Sequence, residues 1–167
     1  MRKTLIVVCA LALFAAPAWA QDDGGTTIRV TGFAAPGMFV AGGIVAGATP
    51  LRIGGMIEQV GSSGFGFAFD ASYLTTFEDV SENSIAMLAP AVLYEFHTDG
   101  PLKPYVRGGP TFILGGGDAA FLVHYGGGIN YWVKENIGLK VEGRHSLFVE
   151  APELGIIDVL VGAVFKF

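Results

Sequence analysis

Cysteine is nearly missing from this chain. The single thiol, Cys9, lies in the opening segment MRKTLIVVCALALFAAPAWA, so no disulfide framework and no thiolate metal cluster are available. Basic charge is scarce as well: ten Lys and Arg stand against fifteen Asp and Glu, a formal charge of −5. Nucleic-acid binding needs clustered cations, and that class is excluded. A clean helical span is also lacking. Thr31 to Leu51 is uncharged and long enough to imitate a membrane helix, yet it holds Pro36, Pro50 and five glycines. It is read instead as a strand followed by a long surface loop, Pro36–Pro50. Phosphate loops are missing too, because Gly115–Asp118 and Gly126–Gly128 neither open a helix nor precede a Lys-Ser/Thr pair.

The first twenty residues have an evident purpose. Arg2 and Lys3 precede an apolar run from Leu5 to Ala16, and Ala18-Trp19-Ala20 forms a small-x-small cleavage site. This is the pattern of a secretory signal peptide, cleaved after residue 20. Cys9 does not fit a lipoprotein site, since only Leu5 to Val8 precede it and Val8 is not small. The chain therefore divides into 1–20, a signal peptide, and 21–167, one exported domain. Removing Arg2 and Lys3 leaves 10 − 2 = 8 basic residues against fifteen acidic ones, a net −7. All 25 glycines fall in the exported part, which disfavours a helical domain.

That part alternates with period two, the signature of extended strands. Turn signals divide it into eight: about 27–35, 51–60, 65–77, 84–97, 104–114, 120–133, 138–150 and 157–167. Tight links at Gly61–Gly64, Thr98–Lys103 and Lys134–Ile137 alternate with links at Pro36–Pro50, Glu78–Asn83, Gly115–Ala119 and Ala151–Ile156. An even number of strands with both termini at one end fits a closed up-and-down barrel. In every strand one parity is apolar; the other carries Arg29, Arg52, Glu58, Asp70, Glu95, Arg107, Lys140, Glu142, Arg144, Asp158 and Lys166.

The question is which parity points inward. A soluble lipocalin-like barrel would put the apolar set inside. Two features favour the reverse. The charged set is nearly balanced, six basic against five acidic, as groups paired in a closed lumen must be. The aromatics also sit on the apolar parity near strand ends: Phe65, Phe67, Tyr94, Phe96, Tyr131, Phe165 and Phe167 at one end, Tyr73, Phe77, Phe112 and Phe121 at the other. Two aromatic rows bounding an aliphatic band are the girdles of a transmembrane β-barrel. The prediction is thus all-β, with Lys140, Glu142 and Arg144 in the lumen and Val141 and Leu147 in lipid. Pro90 and Pro110 fall opposite each other in mid-strand, where a bulge or an open ladder is expected.

The segments KPYVRGGPTF and FLVHYGGGINYWVKENIGLKVEGRH, with the last strand ending on Phe167, carry a family resemblance. The chain resembles the small eight-stranded outer-membrane β-barrels of Gram-negative bacteria, the architecture of the OmpA membrane domain and OmpX. Gly162, Phe165 and Phe167 resemble the assembly signal of such barrels, although Leu160 stands where a polar residue is usual. The resemblance implies outer-membrane location, contact with outer-membrane lipids, and insertion by the barrel-assembly machinery through the strand ending at Phe167. It implies no catalytic, cofactor-binding or metal residues. A monomer is expected, ending with its barrel and without the peptidoglycan-binding domain of full-length OmpA relatives. The expected role is structural or surface-interacting, with no open pore. A lipid-modifying enzyme on the same barrel and a narrow solute pore are the alternatives.

The histidines test the enzyme alternative. His97 falls at a turn and is read as solvated, while His124 has lumen parity and should join the internal hydrogen bonds. His145 points to lipid, with Tyr125 or Gly127 expected beside it on the sixth strand and Ala163 on the eighth. Neither Gly143 nor Leu147, two residues away, can act as nucleophile, and Ser146 faces inward. His145 is therefore read as structural, hydrogen-bonded to Tyr125, and His145→Phe should leave folding and phenotype unchanged. The run Glu78–Asn83 has three acids but no glycine turn, and falls short of a calcium site.

Overall fold

Period-two alternation gives strands long enough to cross a bilayer at a tilt, and their pairing closes on itself. The structure, a computed structural model, describes residues 25–45, 50–76, 85–115 and 118–167. Eight long strands run in chain order: β1 (Thr27–Ala41), β2 (Pro50–Val60), β3 (Phe65–Thr76), β4 (Ile85–Glu95), β5 (Leu102–Gly115), β6 (Asp118–Trp132), β7 (Ile137–Phe148) and β8 (Leu154–Lys166). Each pairs antiparallel with the next, and β1 pairs with β8. The barrel has no free edge. No helix occurs among the described residues. Met1–Ala20 and the acidic run Glu78–Asn83 lie outside them.

The registers fix the stagger. Thr27 meets Val60, then Gly66, Leu93, Arg107, Gly126, Arg144, Asp158 and finally Gly37. One circuit therefore climbs 37 − 27 = 10 residues along β1. For eight strands that stagger means a tilt of about 40° and an interior just wide enough for side chains.

The first strand corrects the sequence reading. Instead of yielding at Pro36 to a loop, β1 continues to Ala41 and turns at Gly42–Gly43 into a two-residue return, Ile44–Val45. Pro36 still pairs with Leu51 on β2, but the β1–β8 ladder breaks there, from Ala34↔Val161 to Gly37↔Asp158. Its missing donor thus falls on the side already open. The other strand ends differ from expectation by no more than three residues. Gly64 (φ +86°) sits in the tight turn where its carbonyl accepts from the Glu95 amide. A side chain there would strain the turn and strike the Glu95 carbonyl.

Pro90 and Pro110 do face each other, and the β4–β5 ladder opens as expected. Pairing runs from Leu88↔Phe112 directly to Val92↔Gly108, four residues on each strand, so no residue is inserted and there is no bulge. On their other sides Pro90 pairs with Phe69 and Pro110 with Val123. Changing both prolines to alanine restores two donors. The new amides at 90 and 110 should exchange hydrogen as slowly as their strand neighbours, and stability should rise by about 1 kcal/mol per bond less the added chain entropy. Exchange at those amides as fast as at turn amides would contradict this geometry.

Parity sorts inside from outside. Ile57, Val106, Val141 and Val161 are about half exposed on the outer surface, and the charged partners between them are buried. The aromatic rows flank this belt, with Phe65–Tyr94–Phe96 in contact at the terminal end and Phe112–Phe121 at the loop end. The interior is less uniformly polar than the sequence implies. Phe33, Met56, Leu93 and Leu160 form an apolar wall. At the loop end Leu74, Met87, Leu122 and Ile156 meet, with Phe39, Ile113 and Phe148 packed around them. That second cluster is an apolar layer at the loop end of the lumen.

Candidate functional site

The inward residues of β2, β3, β5, β7 and β8 converge below that layer. Asp70 on β3 is the hub: Arg144 donates to it at 2.7 Å and Arg52 at 3.3 Å, while Arg107 lies at 3.7 Å. Glu142 accepts from Arg144 Nε at 2.8 Å and from the Tyr105 hydroxyl at 2.7 Å. Arg144 Nη2 also approaches Glu142 within 2.7 Å, at an angle that makes it an ion pair rather than a hydrogen bond. Arg52 reaches across to Asp158 at 3.1 Å and lies over the Phe33 ring. Lys140 donates to Glu58 at 2.6 Å and sits 4.3 Å above the Tyr105 ring. Arg107 is held differently: its hydrogen bond goes to the Met56 sulfur at 2.9 Å, and its carboxylate partners act through charge alone.

Close packing puts the backbone near this network. A Cβ on Gly128 would stand 2.7 Å from the Tyr105 hydroxyl and 2.3 Å from the Val141 carbonyl, so a bare strand position lets Tyr105 reach Glu142.

A second cluster closes the terminal end. Arg29 forms a two-pronged pair with Glu95, which also accepts from Asn130 at 3.3 Å. Trp132 lies between two cations, with Arg29 and Lys166 each 5.3 Å from its ring centre. Lys166 is exposed at the mouth, which corrects its placement in the lumen. A cavity of about 100 Å³ opens beside Arg29, Glu95, Phe96 and Lys103. His97 is not merely solvated: its Nε2 stands 2.8 Å from the Ser62 carbonyl and ties two turns together.

The arrangement offers structure more readily than chemistry. Five basic and five acidic inward side chains are matched, counting Arg29, Arg52, Arg107, Lys140 and Arg144 against Glu58, Asp70, Glu95, Glu142 and Asp158. Among the described residues no three metal-ligating groups gather. His124 is wholly buried, with Nδ1 2.8 Å from the Thr111 hydroxyl. On the outer face His145 pairs with Tyr125, as expected, and their ring nitrogen and hydroxyl are 2.8 Å apart. Its partner on β8 is Ile157, not Ala163, because the register is offset by six residues from the one assumed. Among the described residues its register partners are Tyr125 and Ile157, and Ser146 is buried on the inward side. Sequence reasoning missed Tyr105, Asn130 and Trp132, although all three share the inward parity of the charges.

A family model described as outer membrane protein beta-barrel domain matches residues 6–167. Among solved structures, Neisserial surface protein A is 18% identical, with TM-score 0.67, covering 86% of this chain and 99% of that one. The N-terminal β-barrel domain of Pseudomonas aeruginosa OprF is 19% identical, with TM-score 0.64 and coverage of 84% and 97%. Ail, the attachment invasion locus protein of Yersinia pestis, is 12% identical, with TM-score 0.59 and coverage of 86% and 99%. Ail has also been solved with the heparin analogue sucrose octasulfate. No curated protein matches the sequence.

Proposed function

Because the chain belongs to the outer-membrane-protein β-barrel family, we propose that it is a sealed, non-enzymatic barrel of the outer membrane with a structural or surface-interaction role. The single observation that carries this reading is the lumen, blocked at three levels. Leu74, Met87, Leu122 and Ile156 close the loop end, the Asp70–Glu142 network fills the middle, and Trp132 stands between Arg29 and Lys166 at the other mouth. An ion crossing would have to part charge pairs and then enter an apolar layer.

In this reading Met1–Ala20 is removed on export and both termini face the periplasm, where short turns belong. The barrel-assembly machinery engages β8 through Gly162, Phe165 and Phe167. The barrel works as a monomer. The loop end then faces outward, and its partner is unlike the one in the Ail complex. In sequence, the links that join strands at that end carry the acids Glu78, Asp79, Glu82, Glu150 and Glu153 and no Lys or Arg, a charge that disfavours a polyanion.

The test is conductance in planar bilayers. The wild-type barrel should give no steady current at potentials where an open pore conducts. A stable, large open state would refute the sealed lumen and favour the solute-pore alternative.

A further inference from the structure

One polar pair stands well inside the apolar belt, where the barrel architecture does not require it. Tyr125 on β6 and His145 on β7 are register partners with outward side chains, their rings packed edge-on at 5.4 Å. Along β6, Tyr125 lies 125 − 121 = 4 residues inside Phe121 of the loop-end aromatic row and 131 − 125 = 6 residues inside Tyr131 of the other. The next outward residues on the loop side, Val123 and Leu147, are aliphatic, as is Ile157 across β8. The phenol is about half exposed to this hydrocarbon setting.

The chain has five tyrosines, and among the described residues Tyr125 is the one whose hydroxyl meets an imidazole. His97 turns instead to the Ser62 carbonyl and His124 to Thr111, while Tyr105 serves Glu142 in the lumen. The hydroxyl of Tyr125 and Nδ1 of His145 are 2.8 Å apart. Imidazole is the stronger base of the two, so the phenol donates to Nδ1 and the ring's own proton stays on Nε2. That nitrogen lies on the outer face, 3.0 Å from where a Cβ of Gly155 would stand. The imidazole thus accepts from the phenol on one side and can donate on the other.

We propose that Tyr125 traps lipid peroxyl radicals in the membrane, with His145 carrying the proton. An electron leaves the phenol for the peroxyl oxygen, the phenolic proton passes to Nδ1, and the Nε2 proton passes to the reduced peroxyl. The O–H bond of Tyr125 breaks and that of a lipid hydroperoxide forms, leaving a tyrosyl radical and the other imidazole tautomer. Because the proton moves with the electron, no isolated ion is created in hydrocarbon, where it would be costly. The tyrosyl radical then couples through a ring carbon to a second peroxyl radical. No reductant is needed, and Tyr125 is consumed rather than turned over. Without a source of radicals His145→Phe stays silent. The inference rests on the reading that this face meets lipid.

The experiment uses the full exported chain refolded in vesicles of dilinoleoyl phosphatidylcholine. A lipid-soluble azo initiator supplies peroxyl radicals steadily while oxygen uptake is recorded. Wild type should impose an inhibition period that lengthens in proportion to barrel concentration. Peptide mass spectrometry should then find oxidation at Tyr125 ahead of Tyr73, Tyr94 and Tyr131. Tyr125→Phe should abolish the period. His145→Phe keeps the phenol but should slow trapping about a hundredfold, the lower end of what a positioned proton carrier contributes. A packing role for His145 would leave that rate unchanged. A mobility difference between boiled and unboiled samples on a detergent gel reports separately that each barrel is folded. If either variant does not fold, the residue oxidised first in wild type decides. No inhibition period in wild type, an equal one in Tyr125→Phe, unchanged trapping in His145→Phe, or oxidation first at another tyrosine would overturn the proposal.

Discussion

Asp70→Ala is expected to destabilise the barrel by about 3–5 kcal/mol, the range for removing one partner of a buried charge pair. The reason is its three cations. Arg144 and Arg52 hydrogen-bond to it and Arg107 lies at 3.7 Å, all within a region almost closed to solvent. After the change Arg144 keeps Glu142 and Arg52 keeps Asp158, but Arg107 is left with a 3.7 Å contact to Glu142. Asp158→Ala should cost less, because Asp158 accepts a hydrogen bond from Arg52 alone. Urea unfolding in vesicles, followed by fluorescence of Trp132, the one tryptophan beyond residue 20, measures both. An Asp70→Ala barrel within about 1 kcal/mol of wild type would show that the hub is not where the lumen's charge balance is held.

Val161→Arg should cost about 2–4 kcal/mol, the penalty for a guanidinium at mid-depth on the lipid face. Val161 is central in β8 and about half exposed, and its register partners are Val141 and Ala34. No carboxylate stands beside it on that face. Its chain neighbour Leu160 is fully buried on the other side, so a change of one position changes the solvent from lipid to packed interior. The same urea titration reads the difference, with Val161→Leu as a control expected within about 0.5 kcal/mol of wild type. Equal stability of Val161→Arg and Val161→Leu would mean that this face does not meet hydrocarbon.

The architecture was legible because lipid enforces a strict period. Lys140, Glu142 and Arg144 alternate with Val141 and Leu147 over a long strand, and the structure buries the charges and turns the others outward. The prolines were legible in part. A missing donor is a local fact, so the open ladder at Pro90 and Pro110 followed from chemistry alone. Whether the strand absorbs it by a bulge depends on register, which no single strand encodes. Pro36 misled for the same reason: in an uncharged stretch it looked like a loop, and only the break in the β1–β8 ladder lets β1 pass through it.

The interior was less legible. Charges announce themselves, but the apolar inward residues at the loop end, Leu74, Met87, Leu122 and Ile156, look in sequence like any others. Their meeting depends on a ten-residue stagger that brings distant strands to one level. Trp132 was hidden likewise, because its contacts with Arg29 and Lys166 span β1, β6 and β8. The His145–Tyr125 contact was foreseen from a guess at one register, and the neighbour on β8 was missed because a second register had to be guessed as well.

The central claim is that β7 separates lipid from a charged interior residue by residue. Beyond Cys9 the chain has no cysteine, so single cysteines can be placed along Gly138–Leu147 and labelled with a fluorophore in reconstituted vesicles. Quenching by nitroxides on lipid acyl chains should be strong at 139, 141, 143 and 147 and weak at 138, 140, 142, 144 and 146. Uniform quenching along the strand, or strong quenching at 140, 142 and 144 with weak quenching at 141, would contradict the barrel described above.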